Sequence, residues 1–391
     1  MLIASLLVSL AASIPGGGSA TSTELQPSAL AVPVLQAAVA DPAPPPEPAT
    51  GRAAVVSSVQ EEGSNRRSPK IEMPADLPTE PLVYERTWSR YRVDVGNVVA
   101  DSEHHGAVTM TVLEVDDKGN RVLRWQAAPA QWTRELNTGS LIDQAADKGV
   151  AELRTGLSYD IVISPKYRTM ILDDAEAAAA AAEGAVERAV REIDAGNYFH
   201  AIKERARSTV RSAFATPELI EYTLLEEPTI LFEPLGRTYR MNEDRRWEDF
   251  FVNPVGAAPL PALSVLAPVF HDEENHRMEV RWTRELVHEQ ADAILETDLA
   301  ALRRRLKDNE AAPSLAEMFA IREETRYLLD MQTGLPLFAE RRSLVRIGAD
   351  ERIESVRFVL SGFEASEDLT GPWENMTTTG QASGTAENDD R

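Results

Sequence analysis

The stretch GAVTMTVLEVDDKGNRVLRWQA (106–127) decides how this chain folds. Val108, Met110 and Val112 alternate with Thr109 and Thr111, so the apolar side chains share one face of an extended strand. Asp116 to Asn120 carry turn chemistry, and Leu123, Trp125 and Ala127 then resume the alternation. Two alternating runs joined by a short polar turn predict an antiparallel hairpin with one buried face.

The same pattern recurs on both sides. LVYERTWSRYRVDV (82–95) mixes aromatic, β-branched and charged residues as a half-buried strand does. LSYDIVIS (157–164) alternates at Tyr159, Ile161 and Ile163. In RMEVRWTREL (277–286), Met278, Val280, Trp282 and Leu286 take one face, and Arg277, Glu279, Arg281, Thr283 and Glu285 the other. RYLLDMQTGLPLFAERRSL (326–344) reads as a further hairpin: Asp330 can accept from turn amides, Gly334 can take positive φ, and Pro336 suits a strand start. A last strand is predicted over RIESVRFVL (352–360).

Between these runs the period changes. DDAEAAAAAAEGAVERAVREI (173–193) is a strong helix former, with Asp173 or Asp174 as its cap. Phe199, Ile202, Ala206 and Val210 form the stripe of a second helix, and Thr216–Pro217 open a short third one through ELIEYTLL (218–225). Leu295, Leu299, Leu302 and Leu306 predict another helix, and SLAE (314–317) has capping-box spacing for one more. The proline-rich NPVGAAPLPALSVLAPVF (253–270) reads as an irregular loop crossing the core. NEDRRWEDFF (242–251) reads as a cavity rim or an anchored loop.

Strands joined by tight turns, with helices set apart from them, give the α+β class. The expectation is a curved, largely antiparallel sheet, either one large sheet or two similar units, with helices packed on one side. The folded α+β region is placed at 79–365, with a helical insertion at about 173–225. MLIASLLVSLAAS followed by Gly and small residues predicts a secretory signal at 1–20, without the Lys or Arg that usually precedes the apolar core. Residues 21–78, rich in Pro, Ala and Ser, are expected to be a disordered linker, and 366–391 a disordered acidic tail. The predicted address is export to the periplasm or beyond, with no stable transmembrane segment after processing.

The 391 residues are 43% apolar, enough for a sizeable core. Forty basic residues against 63 acidic give a formal charge of −23, which disfavours nucleic acid and anionic membrane surfaces as partners. With no cysteine there is no disulfide, thiol nucleophile or thiolate metal site. The His/carboxylate clusters SEHHG (102–106) and HDEENH (271–276) lack metal-ligand spacing and read as solvated loops. No GxSxG elbow or phosphate loop occurs, so no catalytic residue, metal or cofactor is assigned.

Trp88, Trp125, Met278 and Trp282 fall on apolar strand faces and are the candidate lining of a cavity for an apolar small molecule or lipid; otherwise they fill a closed core. YERTWSRYRVDV, DDKGNRVLRW and LLDMQTGLPLFAERR together resemble bacterial periplasmic proteins with a curved antiparallel sheet and covering helices, such as the outer-membrane lipoprotein carrier group. That resemblance implies carriage of an apolar ligand or envelope sensing and identifies no contact residues. The helical insertion departs from a minimal version of the architecture. The functional reading is therefore a non-enzymatic binder of an apolar or lipid-type ligand. An interaction or scaffold module for an envelope protein is the alternative, and a hydrolase comes third.

Overall fold

Val108 of β3 (Asn97–Val115) lies opposite Ala127 of β4 (Arg121–Ala127), Met110 opposite Trp125, and Val112 opposite Leu123. The deciding hairpin thus forms in the predicted register in a computed structural model of the chain. That structure describes residues 70–74, 77–94, 97–134, 141–165, 167, 169–251, 259–306, 319–347 and 350–365. The leader, most of the linker, the acidic tail and the helix expected at SLAE lie outside the described residues.

One large antiparallel sheet of 12 strands answers the question of one sheet or two. Its first flank contains β2 (Leu82–Asp94), β3, β4, β5 (Gln131–Arg134), β6 (Ser158–Ile163) and β7 (Met170–Leu172). Its second flank contains β9 (Arg245–Phe251), β10 (Leu260–Asp272), β11 (Arg277–Leu286), β12 (Phe319–Asp330), β13 (Pro336–Ile347) and β14 (Asp350–Leu360). The order is β7-β6-β4-β3-β2-β14-β13-β12-β11-β10-β9, with β5 also on β3. Pairing of β2 with β14 joins the flanks, so Tyr84 lies opposite Leu360 in mid-sheet. A small second sheet pairs β1 (Lys70–Glu72), inside the stretch read as linker, with β8 (Thr238–Arg240).

Five helices are described. They are α1 (Leu141–Leu153), α2 (Ala175–Ala195), α3 (His200–Ser212), α4 (Pro217–Phe232) and α5 (His288–Leu306). Asp174 caps α2 by accepting from the Ala177 amide at 2.9 Å, and Thr216 caps α4. The inner face of α2, Ala178, Ala182, Ala185, Ala189 and Ile193, is buried. Small side chains there let the helix approach its neighbours closely. The main core joins α1–α4 to the sheet face that carries Tyr84, Trp88, Val108 and Trp125. A second cluster under α5 holds Phe251, Leu260, Leu286, Ile321 and Val345 on the same face.

Several expectations are corrected. From Leu260 on, the segment expected to be an irregular loop at 253–270 belongs to β10, a 13-residue strand that runs to Asp272. Its prolines sit where a strand tolerates them. The carbonyl of Pro261 accepts from the Val287 amide at 2.9 Å, just past the end of β11, and Pro268 borders a bulge. SEHHG is no solvated loop but the middle of β3, with His104 buried and His105 on the opposite face. The helix opened by Thr216 runs 16 residues, to Phe232, and passes through Pro228. Phe199 is exposed and leaves the predicted stripe. NEDRRWEDFF supplies β9 instead of a loop.

The hairpin at 326–344 forms as predicted. Asp330 accepts from the Gln332 amide at 2.9 Å and the Thr333 hydroxyl at 2.8 Å, and Gly334 has φ 78°. Pro336 begins β13. A Cβ on Gly334 would collide with the Pro74 carbonyl, so the hairpin tip also seats the segment after β1.

Candidate functional site

Strand alternation places charges on the helix-bearing face as well as aromatics. Arg86 and Arg90 share the parity of Tyr84 and Trp88 on β2, and the register carries this face across to Glu354, Arg341, Glu323, Arg284, Ser264 and Asp249. Above them α4 contributes Tyr222 and Glu226, four residues apart on one face, and the adjacent Glu227.

The charges form an alternating seam. Arg86 Nη1 donates to Glu227 Oε2 at 3.0 Å, and Arg154 reaches both Glu227, at 3.4 Å, and Glu226, at 3.0 Å. Arg341 Nη2 donates to Glu226 Oε1 at 2.6 Å. Arg284 pairs with Glu323 and lies 3.7 Å from Asp249. Asp249 accepts from the Ser264 hydroxyl at 2.6 Å, and the Trp282 indole donates to Ser264 at 3.2 Å.

Access grades along this seam. The Arg86 and Glu227 side chains are 1% and 9% exposed, Glu323 and Arg284 are 18% each, and Tyr222 is 46%. The seam is thus deepest at Arg86 and Glu227 and reaches solvent near Tyr222. Burial alone would raise the Glu226 carboxyl, but Arg341 and Arg154 outweigh it and hold Glu226 far below the usual carboxylate range. Arg284 and Arg341 likewise outweigh burial at Glu323 and lower its carboxyl. At neutral pH Glu226 and Glu323 are thus ionised and paired with Arg341, Arg154 and Arg284.

Buried apolar side chains border the ionic row. Two residues along each strand, Glu323 gives way to Ile321, Arg284 to Leu286, Ser264 to Ala262 and Asp249 to Phe251, all on the same face. These residues lie in the cluster beneath α5.

The four aromatic and methionine candidates all lie on the helix-bearing face, in two groups. Trp88 is 2% exposed, Trp125 1% and Met278 0%, while Trp282 is half-buried. Three strands separate β2 from β11, so Trp88 and Trp282 stand about 19 Å apart across the sheet. Trp125 lines a small cavity with Leu153, Arg154, Tyr159, Leu224 and Glu227, which has room for about one water. Trp282 stacks on Trp247 at 6.2 Å and borders the ionic cleft through Ser264.

His104 occupies its own niche. Its ring lies between Trp88, at 4.9 Å, and Trp132, at 5.1 Å. Burial, then Arg86, Arg154, His105 and Arg90, lower its pKa to about 3, so the imidazole is neutral. On the outer face, His105 contacts the Thr87 hydroxyl at 2.8 Å and Glu103 at 3.1 Å, a cross-strand hydrogen-bonded row. Among the described residues no group of three or more His, Cys, Asp or Glu could hold a metal, and no helix is long and apolar enough to cross a membrane.

No family model matches the sequence, and no curated protein matches it. The chain is similar to a solved structure of lipovitellin, described as showing lipid–protein interactions, with a TM-score of 0.36 and 10% identity. The likeness covers 74% of this chain and 26% of that one, so the chain spans about a quarter of the lipovitellin length. A likeness of that degree bears on neither ligand nor activity.

Sequence reasoning missed the ionic cleft, although a signal was present. Arg86 and Arg90 share the parity of Tyr84 and Trp88, and Arg284 that of Met278 and Trp282. A charge in phase with buried aromatics marks a buried polar partner.

Proposed function

We propose that this chain is a non-enzymatic binding protein of the bacterial envelope that takes an amphiphilic, lipid-type ligand at the mouth of the ionic cleft. One observation carries the reading: Glu323, Arg284 and Ser264 lie opposite one another on β12, β11 and β10, with Asp249 bonded to Ser264, and the next same-face positions are the apolar Ile321, Leu286 and Ala262. A polar head fits the first row, and a hydrocarbon chain would enter the second by displacing part of α5, which covers it. The cleft pairs Arg341 and Arg284 with Glu226, Glu323 and Asp249, which suits a zwitterionic or hydroxyl-rich head better than a bare anion. The apolar leader at 1–20 supports export.

Native mass spectrometry of the protein taken gently from its own envelope tests this reading. The expected result is a discrete added mass, removed by delipidation and reduced by Tyr222→Ala, a change at an exposed position. A bare mass that persists after incubation with envelope lipids overturns it.

A further inference from the structure

Strand β9 ends the sheet path, and among the described residues no strand pairs with its outer edge. Its sequence is RRWEDFF, from Arg245 to Phe251. Edge strands commonly carry charge to discourage association. Here the signs are ordered: two arginines, a central tryptophan, then two acids. Read antiparallel against itself about Trp247, Arg246 faces Glu248 and Arg245 faces Asp249, and each pair occurs twice by symmetry. Shifting the register by one residue places Trp247 opposite Glu248 and breaks this match while reversing the faces.

We infer that β9 is a self-pairing edge through which two copies of this chain join their sheets in a closed, two-fold dimer. Arg245, Arg246 and Glu248 are exposed along this edge. Arg245 and Asp249 belong to the helix-bearing face and Arg246 and Glu248 to the outer face, so the pairing supplies opposite charges on both sides. Asp249 is already anchored by Ser264 and Arg284 and offers its charge from a fixed position. Phe250, 57% exposed on the outer face, falls diagonally beside the partner's Arg246 and gains a cation–π neighbour. The pairing is isologous and leaves no second β9 edge, so assembly stops at two. The inference shares Asp249 with the ligand reading, but its test rests on Arg246 and Glu248 of the outer face, which that reading does not use.

Sedimentation velocity on the full chain across a concentration series tests it. The expected result is a reversible monomer–dimer equilibrium with no larger species. Arg246→Glu alone and Glu248→Arg alone each place like charges opposite one another twice, and each weakens the dimer by about tenfold or more. Mixing the two variants restores opposite charges at every position, so a heterodimer of wild-type affinity forms. Recovery on mixing also shows that both variants are folded. A wild-type chain that stays monomeric, a dimer indifferent to both reversals, or no recovery on mixing overturns the inference.

Discussion

The hydroxyl of Tyr159 donates to the backbone carbonyl of Leu224 at 2.6 Å. Leu224 lies four residues before Pro228, which has no N–H to satisfy that carbonyl within α4. The side chain from β6 thus replaces the missing helical bond and fixes the helix over the sheet. Tyr159→Phe leaves a buried carbonyl without its donor and should cost about 1–3 kcal/mol, read as a lower denaturant midpoint at unchanged slope. Combining it with Pro228→Ala, which returns the N–H, should recover part of that loss.

Two helical glycines should respond in opposite directions. A Cβ on Gly149 would lie 2.6 Å from Val210 Cγ2 and 2.8 Å from Ile193 Cδ1, where α1 meets α2 and α3. Gly149→Ala should therefore destabilise by about 1–3 kcal/mol. Gly184 in α2 has only the end of Arg188 near it, so Gly184→Ala should stabilise by about 0.5–1 kcal/mol. Thermal unfolding of the two variants beside the parent measures both signs.

Acid should weaken the fold in two stages. His104 stays neutral in the folded chain down to about pH 3, against a pKa of 6.5 for a free imidazole. The unfolded chain takes up that proton first, so this stabilisation is complete above about pH 6.5 and is lost as pH falls toward 3. His104→Phe should flatten the fall between about pH 6 and 4.5 in a stability profile. A parent whose stability is constant over that interval would contradict the neutral, buried imidazole.

The second stage belongs to the cleft. Glu226 and Glu323 are held below the usual carboxylate range, so their contribution is present above about pH 4.5 and is lost as pH drops through their lowered values. Glu226→Ala removes the carboxylate bonded to Arg341, leaves Arg154 with Glu227, and should cost about 3–5 kcal/mol, measured by urea unfolding at pH 7. The triple change Glu226→Leu, Arg341→Met and Arg154→Met should be milder than the single one, since it removes the charges together.

Alternation made most of the sheet legible. Met110 opposite Trp125 and the turn at Asp330 could be read from spacing and turn chemistry. The strand β10 could not, because Pro261 and Pro268 oppose strand formation locally and are tolerated through positions that only the paired neighbours define. Helix α1 was passed over because its apolar residues are small and its Gly149 serves packing against Val210 and Ile193. The cleft stayed hidden for a different reason: Arg86 finds Glu227 and Arg341 finds Glu226 across long stretches of chain, and one sequence carries no record of such partners.

The meeting of β2 with β14 in mid-sheet has a kinetic consequence. Each flank is built mainly from neighbouring strands and can zip locally, but the seam between them joins residues as distant in sequence as Tyr84 and Leu360. Closing so long a loop is slow, and the strand that closes it is the last one described. Until that strand arrives, the inner edges of both flanks stand open, each a template for a foreign strand. A chaperone that holds the emerging chain would have its greatest value in that interval, and a truncation before Asp350 should yield two half-sheets that aggregate.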